Sequence, residues 1–221
     1  MSLDLNRAAN VATLVVAGCA VLATASLLGG FRRGSQTARV LPPDSVQVAD
    51  WQKYLAGGHS RGPENAAVTI LEFGDYECPY CARFATTIDR ILAAYPDEVR
   101  FVYRHWPLPN HRFAYPAARA AECAGEQDRF WPYHDLLYAK QDSVGLITFV
   151  DLARRSDVPN MRAFEECAQR PDTVPVIQAG IRDIEAVGGT GTPTVIVNGI
   201  LRRRGIDSAY VASVLARIRD R

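Results

Sequence analysis

Ala67-Val68-Thr69-Ile70-Leu71-Glu72-Phe73-Gly74-Asp75-Tyr76-Glu77-Cys78-Pro79-Tyr80-Cys81 decides how this 221-residue chain folds. The first seven residues are mostly apolar and rich in β-branched side chains, and Gly74-Asp75 supplies a turn, which predicts a buried strand. Glu72 is the exception inside it. Beyond Cys81 the apolar residues Phe84, Ile88, Ile91, Leu92 and Tyr95 recur at helical spacing, and Pro96 stops the run. Residues 98–106 then alternate Val99, Phe101 and Tyr103 with Arg100, Val102 and Arg104, the period of a second strand. Strand, helix and strand in this order predict a βαβ unit with a parallel sheet.

The Cys78-Pro79-Tyr80-Cys81 tetrapeptide falls where the first strand passes into the helix. The unpaired N–H groups and partial positive charge of a helix start stabilise a thiolate and lower a thiol pKa from about 8.5. Cys78 is therefore expected to hold a nucleophilic sulfur at the surface, with Cys81 one turn inside and behind it. Such a pair can attack a disulfide, hold the mixed disulfide and resolve it. Pro79 at the helix start costs no hydrogen bond. Asp75 and Glu77, close to Cys78, are expected to oppose the thiolate. Half of a zinc site and a plain structural disulfide are the rival assignments. Zinc needs two more ligands, yet no second C-x-x-C exists, and His59, His105, His111 and His134 show no paired metal-ligand spacing.

Residues 113–187 read as mostly helical. Residues 113–124 are Ala-rich, Trp131, Leu137 and Tyr138 give an apolar face, and Thr148 with Asp151 forms a helix N-terminal cap. Asn160 caps a further helix, and Asp172 opens a run that Gly188-Gly189 stops. Residues 194–197 are a third strand, Asn198-Gly199 a hairpin turn, residues 200–203 pair back, and residues 207–218 form a closing amphipathic helix. Pro193 cannot donate to a ladder, so it belongs at a strand start or edge. A cis Thr192–Pro193 bond there would present backbone to the thiol pair and let Thr192 hold an extended substrate chain. An ordinary strand-edge proline is the alternative. Glu72 is costly to bury, and its place six residues before Cys78 points to proton handling near Cys81. A hydrated, edge-facing Glu is the alternative.

At 48% hydrophobic and 22% charged, the composition suits one sizeable globular domain, alone or with an appendage. Twenty-five basic and 24 acidic residues leave a net charge of +1, which argues against a broadly basic nucleic-acid-binding surface. Thirteen Pro and 16 Gly exclude a collagen-like or disordered chain, and five Cys are too few for a disulfide scaffold.

Residues 11–30 carry no charge. At about 1.5 Å per residue a helix there would be about 30 Å long, enough to cross a bilayer core. A retained anchor fits that length. Ala23-Thr24-Ala25 resembles a signal-peptide cleavage site and Val16-Ala17-Gly18-Cys19 a lipoprotein box, so a processed segment is the alternative. Residues 1–33 are thus read as a membrane anchor or signal segment. Residues 34–50, with Pro42-Pro43, are read as an extended tether, and residues 51–221 as the folded domain. Arg7 before the segment, against Arg32, Arg33 and Arg39 after it, would keep the domain in the cytoplasm. A redox pair accompanied by further cysteines favours the extracytoplasmic side, and that placement is preferred.

The strand with Glu72, Cys78-Pro79-Tyr80-Cys81, the helical insertion and Thr192-Pro193 before a strand together resemble the DsbA-type branch of the thioredoxin superfamily, over residues 51–221. Gly62-Pro63-Glu64-Asn65-Ala66, and Phe130-Trp131 with Tyr133-His134-Asp135, add to the likeness. The resemblance implies an α/β thioredoxin-like fold with an inserted helical subdomain at about residues 113–187, preceded here by one N-terminal transmembrane helix. It implies Cys78 as nucleophile, Cys81 as resolving thiol, Pro193 as the cis-proline and Glu72 as the buried acid. Thr192, Pro79 and Tyr80 would then contact substrate. Tyr80 and Thr192 stand where the enterobacterial type has His and Val, and Thr before the cis-proline also occurs in disulfide isomerases.

The expected function is disulfide formation in exported proteins. A reductase or isomerase, or a non-catalytic chaperone or metal-delivery factor for membrane complexes, is the alternative. No metal or organic cofactor is called for. The partners implied are reduced or unfolded exported proteins and a membrane redox partner that reoxidises the pair; no nucleic acid is implied. Cys123 and Cys167 both fall on predicted helices of the insertion. In an extracytoplasmic domain they are expected to form a structural disulfide, and otherwise to be two buried thiols.

Overall fold

In the computed structural model, which describes residues 45–203 and 205–220, the strand read from residues 67–73 forms at Val68–Gly74. In chain order the strands are β1 (Ser45–Gln47), β2 (His59–Arg61), β3 (Val68–Gly74), β4 (Val99–His105), β5 (Thr194–Val197) and β6 (Ile200–Arg202). They form one sheet in the order β1-β6-β5-β3-β4-β2. β3 and β4 are parallel and joined through α1 (Pro79–Ala94), the expected βαβ unit. The other neighbouring pairs are antiparallel.

β3 is buried along its whole length because its alternating side chains serve two cores. Val68 and Ile70 share one with Phe84, Ile88 and Ile91 of α1 and with the inserted helices. Leu71 and Phe73 share the other with Ile184 and Val187. Glu72 has the parity of Val68 and Ile70, which aims it at α1.

The insertion holds α2 (Ala114–Gly125), α3 (Phe130–Ala139), α4 (Phe149–Arg155), α5 (Met161–Ala168) and α6 (Pro175–Val187). Thr148 and Asn160 cap α4 and α5 as expected, accepting from the N–H groups of Asp151 and Ala163 at 3.0 Å each. The run expected from Asp172 starts instead at Pro175, whose fixed φ suits the first helical position. Asp172 accepts from Arg119. Gly180 lets α6 meet the backbone of β4: a Cβ there would stand 2.1 Å from the His105 carbonyl oxygen. Cys123 of α2 and Cys167 of α5 are disulfide-bonded, with Cα atoms 5.8 Å apart. Asn198 and Gly199 both have positive φ, 46° and 82°, and make the β5–β6 turn. α7 (Ser208–Arg219) closes the chain, capped by Asp207.

The tether was expected to reach residue 50, but Ser45–Gln47 is a strand paired with β6. The free edge of β6 takes up this polar segment, and Gln47 Nε2 also donates to the Gly199 carbonyl at 3.1 Å. The folded domain therefore includes Ser45 and does not start at Trp51. The candidate membrane segment and residues 34–44 lie outside the described residues. Among the described residues no helix is long and apolar enough to cross a membrane.

Candidate active site

β3 delivers the Gly74–Glu77 turn to the head of α1, so that Cys78 is its N-cap residue and Pro79 opens the helix. Cys81 N–H donates to the Cys78 carbonyl at 3.0 Å and closes the first turn. On the other side of β3, β5 runs antiparallel with Thr194 opposite Phe73. That register brings the Thr192–Pro193 peptide, which is cis, to the same end of the sheet. Cys78 Sγ donates to the Thr192 carbonyl oxygen at 3.3 Å, across 114 residues of sequence. Cys78 keeps only 4% of its surface, so its sulfur is less open than expected: the Thr192 segment lies against it. Cys81 is fully buried.

The two thiols are pushed apart. Cys78 is lowered from 9.0 to about 5, chiefly by the hydrogen bond from Cys81; burial opposes this, while contact with Thr192 and the Cys81 and Tyr80 N–H groups assist. Cys81 is pushed up by burial, by donating to Cys78 and by the nearby Cys78 charge, and an ionised Glu72 would push it further. Cys78 is thus the thiolate at neutral pH and Cys81 keeps its proton. The Thr192 hydroxyl is buried without a hydrogen-bond partner among the described residues, while the Cys78 thiol uses the Thr192 carbonyl. On ionisation the sulfur becomes an acceptor, and that hydroxyl is the donor available to it.

Glu72 is 1% exposed, not hydrated at an edge. Burial raises its carboxyl well above the ordinary range; a hydrogen bond with Cys81 opposes this, and the Cys78 charge adds to it. Burial thus biases Glu72 toward its protonated form beside Cys81. Asp75 and Glu77, expected to oppose the thiolate, are committed elsewhere. Asp75 accepts from the N–H groups of Glu77 (2.7 Å) and Leu108 (2.8 Å) and pairs with His111 Nδ1 at 2.9 Å. Glu77 accepts from Phe113 N–H at 2.7 Å. They fasten the segment after β4 to the active-site turn, and neither is a leading influence on Cys78.

Other supporting residues carried no local signal. Gln141 Nε2, from the insertion, donates to the carbonyls of Tyr76 and Cys78 at 2.9 Å each. Burial keeps His134 neutral, and its Nδ1 is hydrogen-bonded with Tyr76 Oη at 2.9 Å. Tyr103 Oη donates to Tyr138 Oη at 3.2 Å, which donates to the Asp75 carbonyl at 3.4 Å. The aromatic richness of residues 130–138 was the available hint. His59 and His105, which show no paired metal-ligand spacing in the sequence, both meet Glu122. Beside the thiols, Tyr80 (63% exposed), Arg83, Phe84, Thr192, Pro193 and Arg203 line a groove of about 460 Å³.

Residues 55–215 match the thioredoxin family. The Na(+)/H(+) antiporter NhaA of Herminiimonas arsenicoxydans is 32% identical over 222 residues, covering 96% of this chain and 33% of that protein. NhaA 3 of Salinispora tropica, also a Na(+)/H(+) antiporter, is 41% identical over 143 residues, 64% of this chain and 22% of that protein. The chain thus spans about a fifth to a third of the length of these curated relatives. Among solved structures it is similar to oxidised BdbD from Bacillus subtilis, with TM-score 0.66 and 24% identity over 78% of this chain and 96% of that one. It is also similar to Pseudomonas aeruginosa DsbA2, with TM-score 0.60 and 26% identity over 73% of this chain and 94% of that one. The chain belongs to the thioredoxin family, and its fold is that of the DsbA-like thiol–disulfide oxidoreductases.

Proposed function

We propose that this chain is a thiol–disulfide oxidase that places disulfides in exported proteins. The observation that carries the reading is the division between a Cys78 thiolate and a buried, protonated Cys81 beside Glu72. Starting from the Cys78–Cys81 disulfide, a substrate thiolate attacks Cys78 Sγ. The Cys78–Cys81 bond breaks, a substrate–Cys78 bond forms, and Cys81 leaves as a thiolate that takes the Glu72 proton. A second substrate thiolate attacks the substrate sulfur, and Cys78 leaves. The substrate gives up two electrons and becomes a disulfide; the cysteine pair gains them and passes them to a membrane redox partner. Thr192 and Pro193 hold the substrate backbone, with Tyr80 and Pro79 beside it.

The low Cys78 pKa favours this direction. It makes Cys78 a good leaving group and stabilises the reduced pair, whereas a reductase works best with an attacking thiol whose pKa lies nearer ambient pH. The Cys123–Cys167 disulfide supports an extracytoplasmic domain, anchored through residues 1–33. Relatives named as antiporters fit a domain held at a membrane. The test mixes the oxidised protein with a reduced, unfolded two-cysteine protein. Free substrate thiols should vanish in proportion to the enzyme added, and Cys78→Ser should abolish this. A Cys78→Ser variant with full activity in cells would favour the non-catalytic chaperone. A reporter fused after Arg221 that works only in the cytoplasm would overturn the location.

A further inference from the structure

Three elements behind the active-site turn each aim one polar atom at a single point. His59 comes from edge strand β2, His105 from the end of β4 and Glu122 from the last turn of α2. His59 Nε2 lies 2.8 Å and His105 Nε2 2.7 Å from the same oxygen, Oε1 of Glu122. The three donor atoms fall within 4.8 Å of one another. We infer that these residues form a binding site for one divalent transition-metal ion of the zinc class, held by two imidazole nitrogens and a carboxylate oxygen.

The donor set fits that class. Two imidazoles and a carboxylate supply three ligands and leave a position for water, whereas calcium and magnesium prefer all-oxygen sites. Zinc–nitrogen and zinc–oxygen distances of about 2.0–2.2 Å place such ligand atoms about 3.0–3.5 Å apart. Glu122 has only to withdraw by roughly half an ångström from each ring to admit the ion. Its side chain is 17% exposed and that of His59 27%, which provides both the room to pivot and an entry path.

Both rings are held in place without the ion. His59 stacks on Phe130, with centroids 3.3 Å apart and planes 9° from parallel. His105 is 1% exposed and meets Tyr103 edge-on, with centroids 5.2 Å apart. Glu122 is the polar partner of its Nε2, while Nδ1 has none among the described residues. A carboxylate only accepts, so each Nε2 now donates; binding an ion displaces that proton to solvent or to Nδ1 of the same ring. The convergence is not needed to join β2 to β4, which their ladder already pairs at His59–Tyr103. The neighbouring cation Arg61 is taken up by Asp135 and the Trp131 ring and does not compete for Glu122.

The test uses the oxidised protein, in which Cys78 and Cys81 are joined and bind no metal. Zinc chloride alone is titrated by calorimetry, and cobalt(II) replaces it for visible spectroscopy. One ion per chain should bind in the micromolar range or tighter, with a cobalt band typical of nitrogen and oxygen ligands. His59→Ala and Glu122→Gln should each weaken binding on the order of a hundredfold; His111→Ala should leave it unchanged. His59 lies on an edge strand, and circular dichroism confirms that its variant folds. No saturable binding up to millimolar zinc overturns the site, as does binding that His59→Ala and Glu122→Gln leave intact.

Discussion

Replacing Thr192 with Val isolates the hydroxyl that faces the nucleophile. Valine keeps the shape and the β-branching. The carbonyl contact to Cys78 Sγ at 3.3 Å is backbone and survives. What disappears is a buried donor with no other partner among the described residues. A hydrogen bond to a charged group contributes about 1.5–3 kcal/mol, and about 1.4 kcal/mol moves a titration by one pH unit. The hydroxyl is one of several groups that stabilise the thiolate, with Cys81 contributing most, so the lower end applies. The variant should therefore titrate about one pH unit above the native value of about 5. The sign follows from which form bears the charge. Only the reduced form holds the thiolate. Its stabilisation is complete above the ordinary value of 9.0 and is lost as pH falls through about 5. At neutral pH, one unit costs the reduced form about 1.4 kcal/mol, so the potential of the pair should fall by about 30 mV. Ultraviolet thiolate absorbance across pH and equilibration with glutathione read the two quantities. An unmoved midpoint in a folded variant would refute this role for the hydroxyl.

Glu72→Gln keeps the shape but removes the proton, and should slow mixed-disulfide formation by the oxidised protein about a hundredfold in stopped-flow assays. An unchanged rate would remove Glu72 from proton transfer. Because burial raises the Glu72 carboxyl above 4.5, ionising it costs native stability as pH rises past that value. Glu72→Gln should therefore gain more stability at about pH 8 than at about pH 4 in urea melts. Cys123→Ala with Cys167→Ala opens a bridge spanning 44 residues and should cost up to about 4 kcal/mol, lowering Tm by roughly 10 °C. The Cys78/Cys81 potential should not move, and an unchanged Tm would contradict a structural role for the bridge. Gly180→Ala sets a Cβ against the His105 carbonyl and should destabilise by about 1–3 kcal/mol in urea unfolding; a neutral effect would mean that α6 does not need this close approach.

Placement set by neighbours in sequence was legible. The β3–α1 junction, Cys78, Cys81 and Pro193 followed from strand period, helix-start physics and proline's missing donor. So did the caps at Thr148 and Asn160, which satisfy backbone within three residues. Features that depend on distant pairing were not. β1 is too short to show a period and exists because β6 offers an edge. The effect of Asp75 and Glu77 was misjudged because sequence gives proximity to Cys78 but not the backbone donors of Leu108 and Phe113. Gln141 reaches the Cys78 carbonyl from the insertion, 63 residues away. Histidine spacing concealed the meeting of His59 and His105, which parallel and antiparallel strands bring to Glu122.

The reduction potential of the Cys78/Cys81 pair, measured by equilibration with glutathione at neutral pH, bears most directly on the proposed direction of electron flow. A Cys78 thiolate stabilised to about 5, roughly two pH units below a thioredoxin-type thiol, predicts a couple about 60 mV or more above about −270 mV, displaced toward the oxidising value of about −120 mV. A value close to about −270 mV would contradict the oxidase and mark the pair as a reductant.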